Sequence, residues 1–223
     1  MPKSNRRTDI LRKAVAMFNQ GGVQNVPLYK IASAMEISSG NLTYYFRTKE
    51  ILVKELASEL EEELLAVLRE EVDPKSAMSV SHSIARIVDT LWRYQFFFDA
   101  QFYLHQDDPY LKQKFETLRD LTIGVLKDTF DTTIAQGAMK PFREPNSSQL
   151  LADNIWAMWL MWLKEDHTGS SSLSEKEGGA KRQSAIHYFS LVEPYLSSKF
   201  APALYESLLT QFSGKLDLGT RVG

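Results

Sequence analysis

The sequence predicts an all-α protein of about nine helices. Two observations carry this: apolar residues recur at helical spacing along nearly all of the 223 residues, and no stretch alternates with the period of a strand. A third is punctuation, because Gly, Pro, Ser and Asp cluster at intervals that cut the apolar pattern into helix-sized pieces. No internal repeat of fixed length occurs.

The first helix carries the stripe Ile10, Leu11, Ala14, Val15 and Phe18, with Asn5 or Thr8 as its expected cap and Gly21-Gly22 as its end. Residues 1–7 read as a basic arm. From Leu28 to Phe46 the chain encodes two short helices joined by a tight turn, a helix-turn-helix. Pro27 suits the first helical position, Glu36-Ile37 makes the turn, and Ser38 is placed to cap the second helix. On that second helix Leu42 and Phe46 fall on one face and Gly40, Thr43 and Tyr44 on the other, with Asn41 at the flank. One face anchors; the other, small and polar with a phenol, suits a helix that lies in a major groove. A helical hairpin that merely packs would carry the same periodicity.

A fourth helix opens at Thr48 and runs with Ile51, Leu52, Leu56, Leu60 and Leu64 inward to about Val72. After Asp73-Pro74 one long helix is expected from 77 to 105, ended by Asp107-Asp108-Pro109, and another from 110 to 136 before Gly137. Ser147 or Ser148 caps a helix through Lys164. Residues 167–179, rich in Ser, Gly and charge, read as a mobile loop. Helices over 180–199, with Pro194 inside, and 202–213 close the chain, and 216–223 reads as a flexible tail. The domains expected are a DNA-binding unit over 1–50, with its motif at 27–46, and a helical body over 51–215.

Charge divides along the same line. Residues 1–50 hold eight Lys/Arg against three Asp/Glu, a net +5, whereas the remainder is −7. A basic module attached to an acidic body fits contact with phosphates by the first and not by the second. Without cysteine, disulfides and thiolate metal sites are excluded. The glutamates of 59–63 and the scattered histidines lack ligand spacing, so no metal and no cofactor is expected. No Gly-rich phosphate loop or nucleophile elbow points to an enzyme. The basic N-terminus lacks a following apolar run, and the most apolar run, residues 155–163, is nine residues long against the roughly 18 that span a bilayer. A cytoplasmic protein without a membrane anchor is expected.

Ile10-Leu11 through Phe18, Gly22, Ile31-Ala32, Ile37-Ser38, Gly40, Leu42, Tyr44-Tyr45-Phe46, Lys49-Glu50 and Leu52 resemble, in order and spacing, the N-terminal signature of TetR-type transcriptional regulators. The match covers about residues 6 to 53. Glu36 departs from the usual glycine, Pro27 from Ser or Thr, and Thr43 from an aromatic residue. The resemblance implies that Tyr29, Ser39, Gly40, Asn41, Thr43 and Tyr44 face base edges while Tyr45 and Lys49 hold phosphates. It also implies a ligand-responsive repressor that binds a near-palindromic double-stranded operator as a homodimer. The last two helices would pair with their twins, which places Ile186, Phe189, Val192 and Leu196 at the interface. The alternative is a helical adaptor that binds proteins without DNA, separable by salt-dependent DNA binding.

The body's chemistry is aromatic. Trp92, Tyr94, Phe96, Phe97, Phe98, Phe102 and Tyr103 crowd one helix, and Trp156, Trp159 and Trp162 another. They form a large core or enclose a pocket for a small apolar effector. In the second case Phe98, Phe102, Trp159 and Trp162 line it, and Gln95, a polar residue on an apolar stripe, orients the ligand.

Overall fold

A computed structural model describes residues 3–99, 108–168 and 179–212; side chains are described from Arg6 on and within the same limits, short of Asp99 and of 165–168. Among the described residues there are ten α-helices, two 3-10 turns and no strand. They divide into two compact units, one of residues 1–69 with 90–122 and one of 70–89 with the rest.

In the first unit α1 (Lys3–Gly21) packs on α2 (Leu28–Ala34), on α4 (Lys49–Leu68) and on the short α6 (Gln95–Asp99), with α3 (Ser39–Tyr45) against α2. Helix α1 begins at Lys3, so Asn5 and Thr8 lie inside it rather than at its start, and residues 3–7 of the expected arm are helical. Gly22, at φ 73°, ends it in the left-handed region that favours glycine. Ile10, Phe18, Ile31, Leu42, Phe46, Leu52 and Leu56 are all completely buried. Pro27 sits one residue before α2 in extended conformation, α4 stops at Leu68 rather than Val72, and Ile51, expected to face inward, is 46% exposed because the buried stripe of α4 runs through Leu52, Leu56, Leu60 and Leu64.

The single helix expected over 77–105 is broken at Tyr94, between α5 (Ala77–Arg93) and α6. The cause is long-range. Asn19 of α1 donates from Nδ2 to the Arg93 carbonyl at 2.9 Å and accepts the Phe96 N–H on Oδ1 at 3.0 Å, satisfying main-chain groups at the break. The Tyr94 hydroxyl donates to Glu63 Oε1 at 2.8 Å, and Phe96 lies 5.4 Å from Phe18, ring to ring.

Helix α7 (Pro109–Ala135) begins at Pro109 and is followed by Gly137 at φ 74°. In the second unit α8 (Ser148–Thr168) packs on α9 (Gly179–Val192), and α9 on α10 (Phe200–Phe212). Ser147 is the cap of α8, its hydroxyl accepting the Leu150 N–H at 3.1 Å. The expected helix over 180–199 ends at Val192, because Pro194 has no N–H to continue it; a 3-10 turn, Glu193–Tyr195, follows, and Leu196 is extended. The loop expected over 167–179 falls mostly, and the tail of 216–223 wholly, outside the described residues. No described helix is long and apolar enough to cross a membrane.

Candidate nucleic-acid interface

The turn of the helix-turn-helix is built by main-chain bonds. After α2, the Ile37 N–H reaches the Ala32 carbonyl at 3.0 Å and the Glu36 N–H the Ser33 carbonyl at 3.0 Å, the paired bonds of a Schellman end. That geometry puts Glu36 at φ 55°, in the left-handed region where a Cβ is strained. Ser38 then caps α3: its hydroxyl accepts the Asn41 N–H at 3.1 Å. Thr48 caps α4 in the same way through Ile51 N–H at 3.3 Å, and its bond to Glu50, with Glu50's own main chain, holds that carboxyl below the ordinary range.

Helix α3 is therefore fixed at both ends and from beneath. Leu42 and Phe46 are fully buried, while Ser39, Gly40, Asn41, Thr43 and Tyr44 are exposed, Tyr44 by 71%. Tyr29 of α2 is 61% exposed. Tyr45, half-buried, meets Tyr44 edge-on at 5.2 Å. Thr43 bonds its hydroxyl back to the Ser39 and Gly40 carbonyls at 3.0 and 3.2 Å, so its hydrogen is used within the helix and its lone pairs face outward. Lys49 is half-buried and donates to the Val23 carbonyl at 2.9 Å. A Cβ on Gly40 would meet only Ser38 Oγ, at 4.0 Å, so nothing inside the protein requires glycine there.

Two family models match: the description "Bacterial regulatory proteins, tetR family" over residues 10–56, and "Bacterial transcriptional repressor" of the TetR type over 59–204. The chain belongs to the TetR family. It is accordingly a DNA-binding transcriptional regulator and not an enzyme, which removes the adaptor without DNA. A curated relative, the probable HTH-type transcriptional regulator YttP of Bacillus subtilis, is 27% identical over 93 residues, 42% of this chain and 45% of the relative; the match thus spans under half of that protein. A TetR-family regulator from Marinobacter aquaeolei superposes with a TM-score of 0.77 at 24% identity, covering 93% of this chain and 99% of the other. A transcriptional regulator from Saccharomonospora viridis, solved with choline, gives 0.63 at 16% identity over 87% of this chain and 100% of the other. At such identities these structures establish the TetR fold.

The predicted pocket and dimer residues belong to other elements. Gln95 and Phe98 are buried in the first unit, Trp159 and Trp162 in the second, and Phe102 lies outside the described residues. Trp162 Nε1 donates to His187 Nδ1 at 3.3 Å, whereas the fully buried Trp159 Nε1 has no partner among the described residues. Val192 and Leu196 are buried within their own chain; Ile186 and Phe189 are half-buried, and Phe189 meets Tyr205 at 4.9 Å. Two exposed cations, Lys30 within the motif and Arg47 just after it, are missed by the sequence pattern, although their charge next to Tyr29 and Phe46 is a signal that could have found them.

Proposed function

We propose that the chain is a ligand-responsive repressor that binds a near-palindromic operator as a homodimer. The observation that carries it is the division of α3, with Leu42 and Phe46 sealed beneath and Gly40, Asn41, Thr43 and Tyr44 left to solvent. In this reading α3 enters the major groove, Tyr29, Ser39, Gly40, Asn41, Thr43 and Tyr44 face base edges or their surroundings, and Tyr45 and Lys49 hold phosphates. Lys49 would leave the Val23 carbonyl to do so. Lys30 and Arg47 add charge at the rim.

The dimer forms through α9 and α10, where Ile186 and Phe189 keep surface to share and Val192 and Leu196 support them from within. A small apolar effector contacts the aromatic residues of the body, Trp159 and Trp162 among them, and favours one of two spacings of the paired recognition helices, which need about 34 Å to reach successive major grooves.

The test is to enrich a duplex from a random pool with the full chain and compare it with a scrambled duplex over a salt series. A symmetric enriched sequence, preferred over the scrambled one and bound with a steep salt slope, is expected. A protein that retains no duplex, or retains all alike, overturns the reading.

A further inference from the structure

The basic residues before Ile10 invite one assignment, an arm whose cations meet phosphates. Arg7 does something else. Its guanidinium forms an ion pair through Nη1 with Glu55 Oε1 of α4, and its Cζ lies 5.1 Å over the ring of Phe46, the fully buried residue that closes α3. The bond to Glu55 is the main reason its pKa stands above the ordinary arginine value. One planar group on α1 thus touches both the end of α3 and the side of α4. Arginine alone combines the two contacts, a fork for a carboxylate and a flat face for an aromatic ring. With its charge countered by Glu55, Arg7 contributes little field toward a phosphate.

We infer that Arg7 is a positioning residue for the recognition helix: it sets the exit of α3 against α4 and contacts no DNA. This rests on the reading of α3 as the helix that enters the groove. Arg7 acts through Phe46, so it governs the aim of Asn41, Thr43 and Tyr44 rather than the attraction of the protein to DNA in general. Specific and non-specific binding therefore separate.

The experiment uses the full chain with Arg7→Met, which keeps the length of the side chain and removes fork and charge, and Arg7→Lys, which keeps charge alone. Binding to the duplex enriched by the wild type and to a scrambled duplex is measured across a salt series, with amide exchange of residues 39–46 followed in parallel. Arg7→Met is expected to weaken the enriched duplex about tenfold while leaving the scrambled duplex and the salt slope unchanged, and to speed exchange in α3. Arg7→Lys restores little. Glu55→Gln has a smaller effect in the same direction and adds less than its own loss when combined with Arg7→Met, because both break one contact.

Equal loss on both duplexes, with the salt slope reduced by about one, would make Arg7 a phosphate contact and overturn the inference. Undiminished preference in Arg7→Met, or full rescue by Arg7→Lys, would overturn it as well. A wild type that enriches no duplex defeats the recognition-helix reading itself, and this one with it.

Discussion

Lys54 Nζ on α4 donates to Asp108 Oδ2 at 2.7 Å, while the other oxygen of that carboxylate accepts the N–H groups of Tyr110 and Leu111 at 3.0 and 3.4 Å. One side chain therefore caps α7 and ties its start to α4. Two residues on, the Tyr110 hydroxyl bonds Ser58 Oγ of α4 at 2.7 Å, and the ammonium groups of Lys54 and Lys114 lie 5.4 and 5.5 Å from its ring. Asp108→Ala should cost about 1 kcal/mol, the worth of a helix cap with a modest surface ion pair. Desolvation pushes the Asp108 carboxyl up, but Lys54 and the two N–H groups outweigh it and its pKa stands below the ordinary value. A depressed carboxylate stabilises above its unfolded pKa of about 3.9 and loses that contribution as pH falls through the lower folded value. Urea midpoints of wild type and Asp108→Ala should differ at neutral pH and converge below about pH 4.

Glu36 gives a prediction of opposite sign. Its φ of 55° is imposed by the Schellman bonds of Ile37 and Glu36, and its side chain is exposed. Glycine relieves the Cβ strain of about 1 kcal/mol but gives back part of it as unfolded-chain entropy. Glu36→Gly should thus stabilise by about 0.5 kcal/mol and Glu36→Val should destabilise by at least about 1 kcal/mol, a ranking that thermal melts can read. A Glu36→Gly protein less stable than wild type would refute it.

Gly40 separates fold from function. Glycine within a helix costs about 0.5–1 kcal/mol against alanine, and no atom of the surrounding protein would lie nearer than 4.0 Å to a Cβ built on its Cα. Gly40→Ala should raise the melting temperature and, under the proposed reading, in which its methyl group would stand between α3 and the groove, weaken the enriched duplex about tenfold. Equal binding by Gly40→Ala would show that α3 does not approach DNA at this residue.

The contrast between such positions marks what a sequence can carry. Ser38, Thr48 and Gly137 act on their immediate neighbours, and the cap or turn each announces is where it was expected. The same is true of Leu42 and Phe46, whose spacing alone assigns them to the anchored face. The break at Tyr94 was not legible: the segment 84–102 keeps a helical stripe throughout, and what interrupts it is Asn19, seventy-odd residues away, bonding to Arg93 and Phe96. Arg7 escaped for a related reason. Charge is written in the sequence, but whether it is spent on Glu55 or left for a phosphate depends on which helix lies beside it.

At the proposed dimer interface Phe189 is half-buried against Tyr205, itself 37% exposed. A twofold axis through this patch sets each residue against its copy, so Phe189→Glu opposes like charges. Sedimentation should give a dimer for the wild type at micromolar concentration and a monomer for Phe189→Glu, with loss of preference for a symmetric duplex. A monomeric wild type would leave the patch without its twin.

Trp159 and Trp162 form a matched pair on α8. Both are buried, yet Trp162 donates to His187 while Trp159 Nε1 has no acceptor among the described residues. Replacing either by phenylalanine removes contacts and leaves a void of similar size. At Trp162 a hydrogen bond is lost as well, worth about 1 kcal/mol; at Trp159 an unpaired buried donor disappears, which returns roughly 1–3 kcal/mol. Trp159→Phe should therefore be the milder change by at least about 1 kcal/mol in urea denaturation. Under the proposed effector reading the same substitution also removes a donor available to a ligand's oxygen, so it should spare the fold while blunting the response. If Trp159→Phe proves as costly as Trp162→Phe, the indole N–H is already satisfied by water in the free protein, and no donor stands ready for an effector.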